Sequence, residues 1–137
     1  MPPSVEGQGV QCTFVYNPNG SYDPRRRLSW IGTSLQDVRR LPAVVRRAIG
    51  FELDAVQRGM DPADWKPMPT VGLGVREIRI HVAGEHRVLY LARLRNAVHV
   101  LHVFEKKTRR TAGKDLALGR VRYRQVLQRH LDRKDQA

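Results

Sequence analysis

The sequence predicts an α+β domain, with helices before and after a small sheet made of hairpins. Two patterns carry this expectation. Apolar residues recur at helical spacing in the first half and again near the C-terminus, and three short alternating stretches lie between them. The 137 residues fit one domain with a single core, and a hydrophobic share of 41% suits a folded chain.

Residues 1–24 contain Pro2, Pro3, Gly7, Gly9, Pro18, Gly20 and Pro24 and read as a flexible leader. Within it, Cys12–Tyr16 is either an extra edge strand or part of the same extension. Leu28–Ile31 fits a first strand. A helix should start near Ser34, where Ser34 and Asp37 resemble a capping box. Pro42, suited to a first helical position, opens a second helix that runs to about Arg58. Val45, Ile49, Leu53, Val56 and Met60 form its buried stripe, and Gly59 stops it.

Asp61–Gly74 holds three prolines and two glycines and is expected to be a loop, with Trp65 packed over a core edge or stacked on a base. Val75–Val82 alternates, with Ile78, Ile80 and Val82 on one face and Glu77, Arg79 and His81 on the other. Ala83-Gly84-Glu85 should close a hairpin to the strand His86–Leu94, and Arg95-Asn96 a second hairpin to Ala97–Phe104. Glu105–Gly113 is a charged loop. A last helix, about Lys114–Leu131, should turn Leu116, Val121, Leu127 and Leu131 inward. The domain body is therefore placed at 25–132, with 133–137 as a disordered tail.

Charge narrows the function. Lys and Arg number 25 against 13 Asp and Glu, a formal net charge of +12. No Lys or Arg precedes Arg25, so the body is more basic than the whole chain. Such a body points to a polyanionic partner: nucleic acid, an acidic protein or a lipid surface. A merely solubilising surface leaves the sign unexplained, because acidic residues serve that purpose at least as well. No run of 18 apolar residues exists and the start MPPSVEGQ has no signal-peptide pattern, so a cytoplasmic protein without membrane attachment is expected. Cys12 alone excludes an intrachain disulfide and a cysteine-based zinc site.

The hairpins allow a register argument. Pairing Val82 with His86 sets His81 opposite Arg87 and Arg79 opposite Leu89. Pairing Leu94 with Ala97 sets Arg87 opposite Phe104 and Leu89 opposite His102. Residues directly opposite share a face, so Arg79, His81, Arg87, His102 and Phe104 are expected together, with Lys106 and Lys107 leaving the sheet beside them. Aromatic and aliphatic groups among cations suit a surface that stacks a base while neutralising its phosphate; an ordinary solvated face is the alternative. His99 and His102, three apart on one strand, should point to opposite faces and not share a metal. Chemistry run by Arg, Lys and His suits RNA cleavage in which the 2′-hydroxyl attacks its own phosphate, a base takes its proton and cations hold the developing charge.

The run VREIRI (Val75–Ile80), then EHRVLY (Glu85–Tyr90), then VLHVFEKKTRRT (Val100–Thr111) resembles the phage-derived Gp49-like branch of the RelE/HigB toxins of type II toxin–antitoxin systems. WIGTSLQDVRRLP and the DWKPMPTVG loop add to the likeness, which spans about residues 27–130. The resemblance implies a RelE-like small antiparallel sheet flanked by two N-terminal helices and a C-terminal helix. It implies a ribosome-dependent endoribonuclease that cuts mRNA without metal or other cofactor and so inhibits translation. It also implies an antitoxin partner, helix-turn-helix and HigA-like, through which alone the toxin would meet operator DNA. Arg79 and Arg87 match positions that hold the scissile phosphate, and Lys106 and Lys107 the basic pair that contacts RNA or assists charge stabilisation. The expected catalytic set is Arg79, Arg87, Lys107 and His102, with Lys106, His81, Phe104, Arg109 and Arg110 binding RNA.

The chain departs from the pattern at three places. His86 stands where an aromatic usually precedes the arginine, and Ala112-Gly113 stand where proline is common. No C-terminal Tyr or His is clearly placed as proton donor, since Tyr123 lies too far along the last helix; His102 or His81 would have to serve. A non-catalytic basic nucleic-acid-binding protein and an inactive relative of the toxins are the alternative functions.

Overall fold

A computed structural model describes residues 25–94 and 97–136. The expectations for the leader, for Cys12–Tyr16 and for the Arg95-Asn96 turn fall outside these residues. The element order is β1 (Arg27–Trp30), α1 (Ser34–Arg39), α2 (Ala43–Gln57), β2 (Trp65–Pro67), β3 (Val75–Ile80), β4 (His86–Leu94), β5 (Ala97–Glu105) and α3 (Gly113–Gln136). The mixed α+β class is as expected. The strands form one five-stranded sheet in the order β1-β5-β4-β3-β2. Three pairings are antiparallel, and β1 runs parallel to β5, from which α1, α2, β2, β3 and β4 separate it in the chain.

The sheet is covered on both faces. On one, Val45, Ile49, Leu53 and Val56 of α2 pack on Ile78, Ile80, Val88, Tyr90, Val98, Val100 and Val103. On the other, Val126 of α3, with Leu116 and Tyr123, packs on Ile31, Val71, Val75, Leu89, Leu91, Leu101 and Phe104. This double cover explains why β5 is buried along its length except at Glu105.

Several expectations need correction. Ser34 does not cap α1. It is fully buried and donates its hydroxyl to the Val100 carbonyl, while Thr33 takes the N-cap position and donates to the Asp37 carboxylate at 3.1 Å. Pro42 is the N-cap of α2 and not its first residue. Met60 leaves the stripe and is 54% exposed, because the helix has ended: the Gly59 amide bonds the Val56 carbonyl and the Met60 amide the Ala55 carbonyl, the closing pattern of a Schellman motif. The Asp61–Gly74 loop contains β2, an edge strand paired with β3. There Trp65 lies under the Arg76 guanidinium at 3.9 Å, a cation–π contact.

The inward face of α3 differs most. Val121 and Leu131 are exposed, and the buried positions are Gly119, Arg122 and Val126. A Cβ on Gly119 would lie 2.9 Å from Leu89 Cδ1 and 3.2 Å from Val71 Cγ1, so only glycine lets the helix come this close. Arg122 donates to the Leu101 carbonyl at 3.0 Å and to the Thr33 hydroxyl at 2.9 Å, and burial lowers its pKa. Leu101 is where β5 bulges: His102 pairs with Leu89 and Val100 with Tyr90, leaving Leu101 opposite no residue of β4. The buried arginine thus ties α3 to this bulge in β5. The helix continues to Gln136, through most of the stretch expected as a tail.

Candidate functional site

The face assignment of the cations stands, although its register does not. In β3–β4 the pairs are Arg79 with Arg87 and Ile80 with His86, a register shifted by two from the expected one, so the connecting loop spans 81–85 and is two residues longer than expected. A shift of two preserves the face. The β4–β5 pairs Arg87 with Phe104 and Leu89 with His102 are as expected. Arg79 and Arg87 therefore stand directly opposite each other on the face that α3 covers only partly.

The sequence reading missed the carboxylates that hold these cations. Glu77 is buried, with Oε1 3.5 Å from Arg79 Nε and 3.8 Å from Arg87 Nε. Glu85 accepts from Arg87 Nη1 at 3.0 Å. Asp64 lies 3.9 Å from Arg79 Nη1, and its carbonyl accepts the Arg79 amide, which anchors the β2 side of the site. Alternation offered a signal: Glu77 and Arg79, like Glu85 and Arg87, are two apart and share a face. Asp64 gave no such signal, since its approach depends on β2. Arg87 is only 8% exposed and Arg79 34%.

The two histidines of this face have opposite environments. His81 is exposed at the loop and lies between two carboxylates, Nε2 2.6 Å from Asp64 and Nδ1 2.9 Å from Glu85. Carboxylates only accept, so both ring nitrogens donate and the imidazolium is the favoured form. These bonds raise the pKa of His81, and the bond to His81, then that to Arg87, lowers the pKa of Glu85. His102 is buried, stacks on Phe104 with centroids 4.9 Å apart and meets Asp115 Oδ1 at 2.8 Å. Burial lowers its pKa despite Asp115. His102 is held as a neutral imidazole beneath the start of α3.

The loop after β5 carries the remaining cations. The Lys106 amide donates to the Glu85 carbonyl at 2.7 Å, placing this loop beside the β3–β4 loop, and Lys106 Nζ closes on the Arg109 carbonyl. Lys107, Arg109 and Arg110 are exposed, and their side chains have no partner among the described residues. The structure thus gathers Arg79, His81 and Arg87 in one network, sets Lys106 at its edge, and leaves His102 and Phe104 in the packed layer beside it. The bulge at Leu101 also overturns the reading of the strand histidines: His99 pairs with Leu91 and His102 with Leu89, so both occupy the same face. Among the described residues no group of three or more His, Cys, Asp or Glu is placed to hold a metal ion. No helix among them is long and apolar enough to cross a membrane.

Fold and site together define a small α+β domain that presents opposed arginines, and a histidine held between two carboxylates, at one end of its sheet. The family model of the phage-derived protein Gp49-like group (DUF891) matches residues 36–124, and the chain belongs to that family, which is associated with toxins of toxin–antitoxin systems. No curated protein and no solved structure matches the chain.

Proposed function

We propose that this protein is the toxin of a type II toxin–antitoxin pair, an endoribonuclease that cuts mRNA on the ribosome. The observation that carries this reading is the juxtaposition of Arg79 and Arg87 on adjacent strands with His81 beside them. Two guanidinium forks on adjacent strands suit the oxygens of one phosphate. Glu77, Asp64 and Glu85 hold these groups before any RNA arrives, so little reorganisation accompanies the reaction. The carboxylates also offset the local positive charge. Lys106, Lys107, Arg109 and Arg110 restore it at the rim, where they draw in the RNA backbone.

The chemistry divides by environment. The 2′-hydroxyl gives its proton to a water molecule and attacks the adjacent phosphorus, the P–O5′ bond breaks and a 2′,3′-cyclic phosphate forms. Arg79 and Arg87 stabilise the charge that builds on the phosphoryl oxygens, with Lys107 assisting from the loop. The leaving 5′-oxygen needs a proton, and His81 is the better donor: it is accessible and favours its charged form, whereas His102 is neutral and buried. His102 and Phe104 then support the site from beneath. A cognate antitoxin, an acidic helix-turn-helix protein of the HigA kind, would cover this basic end and carry any contact with operator DNA.

A second reading, an inactive relative that keeps the fold, draws on the burial of Arg87 and on the carboxylates that already occupy both guanidiniums. Primer extension on a message translated in a reconstituted system separates the two. Toxin activity gives new 5′ ends inside the reading frame when the protein is added, only while ribosomes translate. An intact message at saturating protein overturns it.

A further inference from the structure

A second basic site lies on the opposite face of the sheet. Arg76 pairs with Tyr90 across β3 and β4, and Tyr90 belongs to the core beneath α2. Where α2 ends, Arg26, Arg76, Asp61, Tyr90, Gly59 and Gly74 line a partly open cavity of about 110 Å³. None of these residues takes part in the network around Arg87.

Both guanidiniums are fixed in place without a ligand. The Arg26 backbone is tied twice to Gln57: its amide donates to the Gln57 carbonyl, and Gln57 Nε2 donates to its carbonyl. Arg26 Nη1 donates to the Ala92 carbonyl at 3.1 Å. Arg76 is held between the Trp65 ring and Asp61, with Nη1 3.0 Å from Oδ1. A guanidinium has five N–H donors, so both keep donors for a further acceptor. The Tyr90 hydroxyl is buried without a well-formed hydrogen bond, and burial raises its pKa, which keeps it a neutral donor.

The lining therefore offers more donors than free acceptors, with one Asp61 oxygen already bonded by Arg76. The last carbonyls of α2 are also engaged, by the amides of Arg26, Arg58, Gly59 and Met60, so the helix end presents little free negative charge. The ligand must be acceptor-rich and anionic. At about 110 Å³ and partly open, the cavity suits a group the size of a phosphate. Two forks approaching from different elements suit tetrahedral phosphate better than a planar carboxylate. We infer that this cavity binds a single phosphate group, either free or at the end of a nucleotide chain.

The test is a titration of the ¹⁵N-labelled full chain with inorganic phosphate, followed at the amides of Gly59, Gly74 and Ala92. Saturable shifts are expected there, weakened about tenfold or more in Arg76→Gln and in Arg26→Gln, because each removes charge-assisted hydrogen bonds. Tyr90→Phe, which deletes only a hydroxyl lacking a well-formed bond, keeps the fold and binds less tightly. Acetate at equal ionic strength should not saturate. A 5′-phosphorylated dinucleotide that binds more tightly than both phosphate and its 5′-hydroxyl form supports the site as one for a nucleic-acid end; the reverse order supports it as a site for free phosphate. Shifts that never saturate, or that are the same in both arginine variants as in the unaltered chain, overturn the inference.

Discussion

The face of the sheet under α3 divides into two halves built on opposite principles. The covered half is apolar and close-packed: Leu89, Leu91 and Leu101 lie under Gly119, Arg122 and Val126. The open half is polar and networked, with Arg79, His81 and Arg87 held by Asp64, Glu77 and Glu85. His102 sits at the boundary, stacked and with its pKa lowered by burial, while the carboxylates around His81 beyond it raise its pKa. One strand face can do both because α3 stops short of the β3–β4 loop. Residues identical in type, such as these two histidines, take their chemistry from which half they fall in.

Substitutions should separate the halves. Arg87→Ala acts on the open half. Cleavage of a translated message is expected to fall by about 100- to 1000-fold, the loss of roughly 3–4 kcal/mol of charge stabilisation, with the fold retained by circular dichroism. Gly119→Val acts on the covered half. The new side chain meets Leu89 and Val71, and urea unfolding should show a loss of about 1–3 kcal/mol.

The histidines sharpen the contrast through pH. An unfolded histidine titrates near 6.5. His81 is raised, so the folded state holds its proton more tightly; its contribution to stability is full below that value and lost as pH rises through its folded pKa. His102 is lowered, so its contribution is present above that value and lost as pH falls through its folded pKa. Ring-resonance titrations should place His81 above 6.5 and His102 below it. A fold-preserving substitution of Asp115 should move His102 further down and leave His81 alone.

The smallest effect lies in the loop that carries His81. Ala83 has φ 51°, in the left-handed region. That costs an L-residue about 1–2 kcal/mol, while glycine there loses about 0.5–1 kcal/mol of chain entropy. Ala83→Gly should therefore raise stability by a few tenths of a kcal/mol or slightly more, measurable as a small rise in Tm.

The covered and open halves also differed in how far the sequence revealed them. The α2 stripe of Val45, Ile49, Leu53 and Val56 was legible because apolar periodicity reports burial directly. The stripe on α3 was not, since its buried positions are a glycine chosen for closeness and an arginine chosen for hydrogen bonds. The cations of the open half were legible from alternation and turn positions, and they survived a register error of two because parity was preserved. The carboxylates between them were less legible, because their pairing with the arginines depends on how β2 and the β3–β4 loop fold back. The bulge at Leu101 left no mark in composition, and it alone reversed the relation of His99 to His102.

If the open half holds RNA, amide shift mapping of the full chain with a short RNA, its 2′-hydroxyls methylated to block attack, tests it most directly. Shifts at Arg79, His81, Arg87 and Lys106, together with little change along α2, are predicted. Shifts confined to other surfaces, with those four amides unmoved at saturation, would contradict it.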